Sequence, residues 1–149
     1  TIKAVARIKN VKLIIAGGGG DKKQEIEALG NKLLGDRFEI LEVNHDEMPV
    51  IYNKANVFTF STVPWESFGI VLVEAMASNL PVVTTNDPIR REIVGDAGLF
   101  IDPTDTDTYA EAIKKALSID WGDKPRKQAK KFSWDITISK YLEILKKWK

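Results

Sequence analysis

Residues 57–85 read VFTFSTVPWESFGIVLVEAMASNLPVVTT, and this stretch decides the fold. Residues 57–61 (VFTFS) carry no charge and, up to Ser61, are β-branched or aromatic, as a strand covered on both faces requires, and after Pro81 residues 82–85 (VVTT) repeat that character. Between them a loop with Pro64 and Trp65 leads into residues 68–78, where Leu72, Glu74, Ala75, Met76 and Ala77 favour a helix, and the run breaks at residues 79–81. Strand, helix and strand in that order predict a parallel pairing.

The pattern repeats on both sides. Residues 11–16 (VKLIIA) predict a buried strand stopped by Gly17, Gly18, Gly19 and Gly20, and Ile26, Leu29, Leu33 and Leu34 form a helical stripe over residues 22–34. Residues 38–43 (FEILEV) predict a second strand, and Asp46 is placed to cap a short helix through Tyr52 with Pro49 in its first turn. Further on come a short helix at 90–94, a strand at 99–101, and helices at 108–118, 124–131 and 136–148. The predicted class is α/β, a Rossmann-like parallel sheet sandwiched by helices. Ligands of such sheets bind beyond the carboxyl ends of the strands, so the loops after the strands are where chemistry is sought.

Composition narrows the function classes. A chain of 149 residues with 44% hydrophobic and 29% charged residues has the make-up of one folded domain, not of a disordered segment. It contains no Cys and a single His, His45, which excludes disulfides and Cys-based zinc sites and disfavours a His-rich metal centre. No apolar run reaches the roughly 18 residues needed to cross a bilayer. The chain opens at Thr1 without Met, and Ile2, Val5, Ala6 and Ile8 suit the end of an amphipathic helix, so the expectation is a piece of a longer, cytoplasmic protein. Charge is uneven: residues 124–149 hold nine Lys or Arg against two Asp or Glu. Within that tail, Ile138, Tyr141, Leu142, Leu145 and Trp148 share a helical face away from Lys140, Lys146 and Lys147, predicting a packing helix over residues 133–149 with a solvated basic side.

Two loops invite an anion. Gly17–Gly20 could bring backbone N–H groups to a phosphate, yet G-x-G-x-x-G fails because Lys22 or Lys23 stands at its last glycine, and no G-x-x-x-x-G-K-[ST] occurs. A plain dehydrogenase or P-loop ATPase is thereby disfavoured. The loop before residues 68–78 carries Glu66 beside a helix start whose first N–H groups are free. Glu74, eight residues on, returns to the same side two turns later. An acid within IVLVEAMA is costly unless it meets a partner. Asp105-Thr106-Asp107 imitates a metal-binding D-x-D, but it directly precedes Thr108-x-x-Glu111, a capping-box pattern, and is read as a helix start with no metal.

The run E-S-F-G-I-V-L-V-E-A-M-A, followed by Pro81-Val82-Val83, resembles the E-x7-E signature of group 1 retaining glycosyltransferases of the GT-B type. The glycine-rich turn, the VFTFS strand, the later stretch EIVGDAGL (residues 92–99) and Asp102-Pro103 resemble that family in order and spacing, over about residues 11–134. The resemblance implies that residues 1–149 form the C-terminal, donor-binding half of a GT-B fold. Glu66 would be the catalytic acidic residue holding hydroxyls of the transferred sugar. The backbone N–H groups of Phe68, Gly69 and Ile70 would hold the diphosphate and Glu74 would bind the ribose, with Ser67, Gly17 and Gly18 also on the donor. Val43, Asn44 and His45 would surround the base of a UDP-, GDP- or ADP-sugar, with no metal cofactor and no nucleic acid. The acceptor-binding N-terminal domain and the diphosphate-clamping Arg and Lys would lie outside this sequence, leaving the fragment inactive alone. Contact of the full enzyme with a membrane surface is left open. Two rival readings are a non-catalytic interaction module using the basic helix and a sugar-nucleotide epimerase.

Overall fold

The structure is a computed structural model that describes residues 1–17, 20–62 and 67–148. In chain order it runs α1 (Ile2–Ala6), β1 (Leu13–Ala16), α2 (Lys23–Leu34), β2 (Phe38–Leu41), α3 (Met48–Lys54), β3 (Phe58–Phe60), α4 (Ile70–Ala77), β4 (Val82–Thr85), α5 (Pro88–Val94), β5 (Gly98–Ile101), α6 (Thr106–Ser118), α7 (Lys124–Lys130) and α8 (Trp134–Lys146). The predicted α/β alternation is present, with β1 to β4 a residue or two shorter than their predicted runs and β5 one residue longer.

All pairings are parallel. Leu13 stands opposite Phe38 in a β1–β2 ladder. In the second ladder, of order β3–β4–β5, Val82 lies between Phe58 and Gly98. Side chains of β4 alternate between two helical layers, as a pleated strand with both faces covered must. Val83 packs with Leu13 and Phe38 of the other ladder and with Val5, Tyr109 and Ile113 of α1 and α6. Val82 turns to the opposite layer, among Leu72 and Met76 of α4, Val94 of α5 and Ala129 of α7. Thr84, fully buried, donates its hydroxyl to the Phe60 carbonyl at 2.7 Å, so the central strand carries a polar group without leaving it unpaired.

Three local expectations are corrected. Asp46 is not the cap of the segment leading to Tyr52. Asn44 takes that place, its side chain accepting from the Glu47 backbone while the Glu47 carboxylate accepts from the Asn44 N–H at 2.9 Å, a reciprocal box that Asp46 lies inside. Helix α6 begins two residues before Thr108 because Asp105 caps it, accepting from the N–H groups of Asp107 and Thr108 at 3.0 Å; the D-x-D tripeptide is thus a helix start, although its cap is not the predicted Thr108. Helix α8 forms with Ser133 as its cap, but no described residue of it is buried, so its apolar stripe is not packed.

Candidate functional site

Parallel strands send their carboxyl ends to one edge, and the expected site residues that the structure describes follow β1, β2 and β3 in the chain. Gly69 caps α4 from the left-handed region (φ 70°), the one conformation that turns the chain sharply into the helix start. A Cβ at Gly69 would come within 3.2 Å of Leu72, so glycine fits sterically as well. The N–H groups of the first turn of α4 precede its first intrahelical bond, from Leu72 to the Gly69 carbonyl, and face outward from the helix end. Ile70 is exposed, and the exposed Phe68 sets its ring edge-on to Phe132 at 5.7 Å. Gly17 donates its own N–H to the Leu41 carbonyl at 3.0 Å, which extends the β1–β2 ladder by one bond. Glu66 and Gly18 lie outside the described residues, as does Trp65.

Glu74 has the partner that its apolar surroundings demand. Its side chain, 25% exposed, receives a hydrogen bond at Oε2 from the Tyr52 hydroxyl at 3.0 Å. Tyr52 is itself only 4% exposed, its ring edge-on to Phe58 at 5.7 Å. Burial, reinforced by the hydrogen bond to the Glu74 carboxylate, holds the Tyr52 phenol far above the ordinary range, so it stays a donor at any working pH. Oε1 of Glu74 faces His45, whose Nε2 is 3.7 Å away on a side chain that is 79% exposed. The loop after β2 and the middle of α4, far apart in sequence, thus meet across a cleft of about 290 Å³ lined by His45, Met48, Pro49, Tyr52, Glu74 and Ser78.

Two of these features were not predicted. Tyr52 carried no signal of its own beyond the requirement that Glu74 meet some partner. Arg90, 1% exposed, donates from Nη2 to the Thr62 hydroxyl at 2.9 Å and lies 3.4 Å from the Asp87 carboxylate. Thr62 is further tied to Thr85, whose hydroxyl donates to the Thr62 carbonyl at 3.0 Å. A buried cation and the end of β4 therefore fix the chain where it enters residues 63–66. At the other end of the strands, a broader groove of about 610 Å³ follows the exposed edge of β5 and is ringed by Lys115, Lys124, Lys127 and Lys131. Lysines beside an open strand edge oppose pairing with another sheet, which accounts for that ring without a ligand. Among the described residues no group of His, Asp or Glu has the arrangement of a metal site.

Comparison with known proteins agrees with this layout. Residues 1–133 match the family described as glycosyl transferases group 1. The chain is similar to O-antigen chain mannosyltransferase B of Escherichia coli, with 37% identity over 109 residues, 70% of this chain and 28% of that protein. It is also similar to the uncharacterized glycosyltransferase MJ1607 of Methanocaldococcus jannaschii, with 32% identity over 97% of this chain and 40% of that one. Among solved structures, sucrose-phosphate synthase from Thermosynechococcus elongatus superposes with a TM-score of 0.81 at 26% identity, over 99% of this chain and 41% of that one. Anabaena HepE in complex with UDP gives a TM-score of 0.81 at 22% identity, over 98% of this chain and 44% of that one, a likeness of fold. The chain spans less than half the length of each of these relatives.

Proposed function

The chain belongs to the group 1 glycosyl transferases and has the α/β fold of a GT-B C-terminal half, and from that premise we propose that it is the donor-binding part of a retaining glycosyltransferase. In this reading it holds a nucleoside diphosphate sugar at the carboxyl edge of the sheet, without a metal. The observation that carries the reading is Glu74: a carboxylate set in an apolar helix, held by Tyr52, and presented to a cleft whose far wall is the loop after β2. Acceptors there suit ribose hydroxyls, the start of α4 suits a diphosphate, and the Asn44–His45 loop suits a base. The neighbour that binds UDP and the mannosyltransferase relatives support a nucleoside diphosphate hexose. Glu66 is assigned to the sugar hydroxyls on its match to the E-x7-E signature alone.

Transfer also needs an acceptor held against the anomeric carbon, and positioning is a large share of such catalysis, so this chain by itself is assigned binding and not turnover. Calorimetric titration with UDP-, GDP- and ADP-sugars tests the reading: binding of at least one is expected. No binding at millimolar ligand, with the fold intact by circular dichroism, would overturn it. A second reading is favoured by α8 alone, whose exposed Ile138, Tyr141, Leu142 and Leu145 share the helix with Lys140 and Lys146, with Lys147 capping its end. It predicts salt-dependent binding to anionic liposomes that disappears when α8 is removed.

A further inference from the structure

We infer that Tyr52 is a positioning residue for nucleoside recognition, fixing the Glu74 carboxylate so that the site selects ribonucleotides over 2′-deoxyribonucleotides. The inference rests on the assignment of Glu74 to the ribose made above. A carboxylate on a helix is free to rotate about its last bond, and its two oxygens are then interchangeable. Here they are not. The Tyr52 hydroxyl donates to Oε2 at 3.0 Å, and the tyrosine is immobilised by burial and by its edge contact with Phe58. Oε1 is left toward the cleft, and the nearest described cation-forming group, His45 Nε2 at 3.7 Å, is beyond hydrogen-bond distance. One oxygen is therefore spent on the protein while the other keeps its lone pairs for hydroxyl donors. A vicinal diol offers two donors to such an oxygen, and a 2′-deoxy sugar offers one. The Tyr52 phenol, held above its ordinary range by burial, stays a donor in this arrangement even in alkaline solution.

The test compares the 149-residue chain with its Tyr52→Phe variant, which keeps the ring and removes only the hydroxyl. Affinities are measured for UDP, GDP and ADP, each against its 2′-deoxy counterpart. The unmodified chain is expected to favour the ribonucleotide it binds best by about tenfold, the size of one hydrogen bond to a charged group. In Tyr52→Phe the ratio is expected to fall to about twofold, because ribonucleotide binding, which uses two hydroxyls, weakens more than deoxynucleotide binding, which uses one. A Glu74→Ala chain should lose the preference outright, and adding Tyr52→Phe to it should change nothing further. A Tyr52→Phe chain that weakens both nucleotides equally has lost structure and not positioning, and it would overturn the inference, as would an unchanged ratio. The two failures are separable. If Glu74→Ala removes the preference and Tyr52→Phe does not, only the Tyr52 assignment falls. If the unmodified chain binds no nucleoside diphosphate, or Glu74→Ala binds as well as it does, the donor-site reading falls and this one with it.

Discussion

A Cβ placed on Gly98 would lie 2.1 Å from the carbonyl oxygen of Val82 and 2.8 Å from a methyl of Val94. The obstacle is backbone in the central strand, which no rotamer change can move aside, so β5 must pull away from β4 to admit even a methyl group. Gly98→Ala is expected to cost about 3 kcal/mol, the upper range for overpacking a core. Urea unfolding checks it. Gly20→Ala, where nothing lies within 4 Å, is the matched substitution that should leave the midpoint in place.

Glu74→Ala should weaken nucleotide binding, whereas Glu111→Ala should not, because Glu111 is an exposed residue of α6 paired with Lys114. Calorimetric titration of both variants with the best-bound nucleotide makes the comparison. Equal losses would contradict the assignment of Glu74 to the ribose.

Asp105 offers a pH test. Its carboxylate accepts from the hydroxyl and the backbone N–H of Thr108, and these bonds, the hydroxyl first, hold its pKa below the ordinary 3.8. A folded-state pKa lower than the unfolded one contributes stability that is fully present above the unfolded value and is lost as pH falls through the folded value. Asp105→Ala should therefore melt at a lower temperature than the parent at pH 7, and the gap should narrow in acid, below about pH 4. A gap independent of pH would show that the carboxylate is not the cap.

Removing residues 135–149 should change the stability of the remainder by less than about 1 kcal/mol, since surface groups contribute little. No described α8 residue is buried, and Trp148 is 86% exposed. The truncated chain should also associate less at high concentration, because it no longer displays that apolar stripe. Thermal melts and sedimentation velocity provide the two readouts.

The strands were legible because most are apolar runs with Gly, Pro or Asn close after them, as Gly17 follows β1 and Asn86 follows β4, and a strand covered on both sides needs little else. The caps were less so. Asp46 and Asn44 are equally good capping types, and the choice fell to Asn44 because Glu47 stands three residues after it and returns the bond. The cost of Glu74 in an apolar helix could be read from its neighbours in sequence, but not that Tyr52 would meet it, since that contact joins α3 to α4 across 22 positions. Periodicity speaks only of faces within one helix. For α8 it named the apolar face correctly and could not say that none of its described residues would be buried. Arg90 gave no warning either: an arginine in a short helix is usually a surface residue, and only its geometry shows it beneath Thr62.

Helix α1 is made about a hundred residues before the helix that completes its packing. Its buried Ile2 and Val5 pack with Tyr109, Ala110 and Ile113 of α6; Arg7 pairs with Asp107; and the Thr1 hydroxyl lies 3.1 Å from that of Tyr109, 108 positions away. On a ribosome adding about 5–20 residues per second, those partners emerge at least several seconds after α1 does. Through that interval α1 can pack against α2 and the first ladder, but the part of its face that meets α6 stays open, and closing it is a late, long-range step of the kind that slows folding. Variants that weaken the α1–α6 contact should thus be felt less in the finished protein's chemistry than in how much of the newly made chain escapes aggregation.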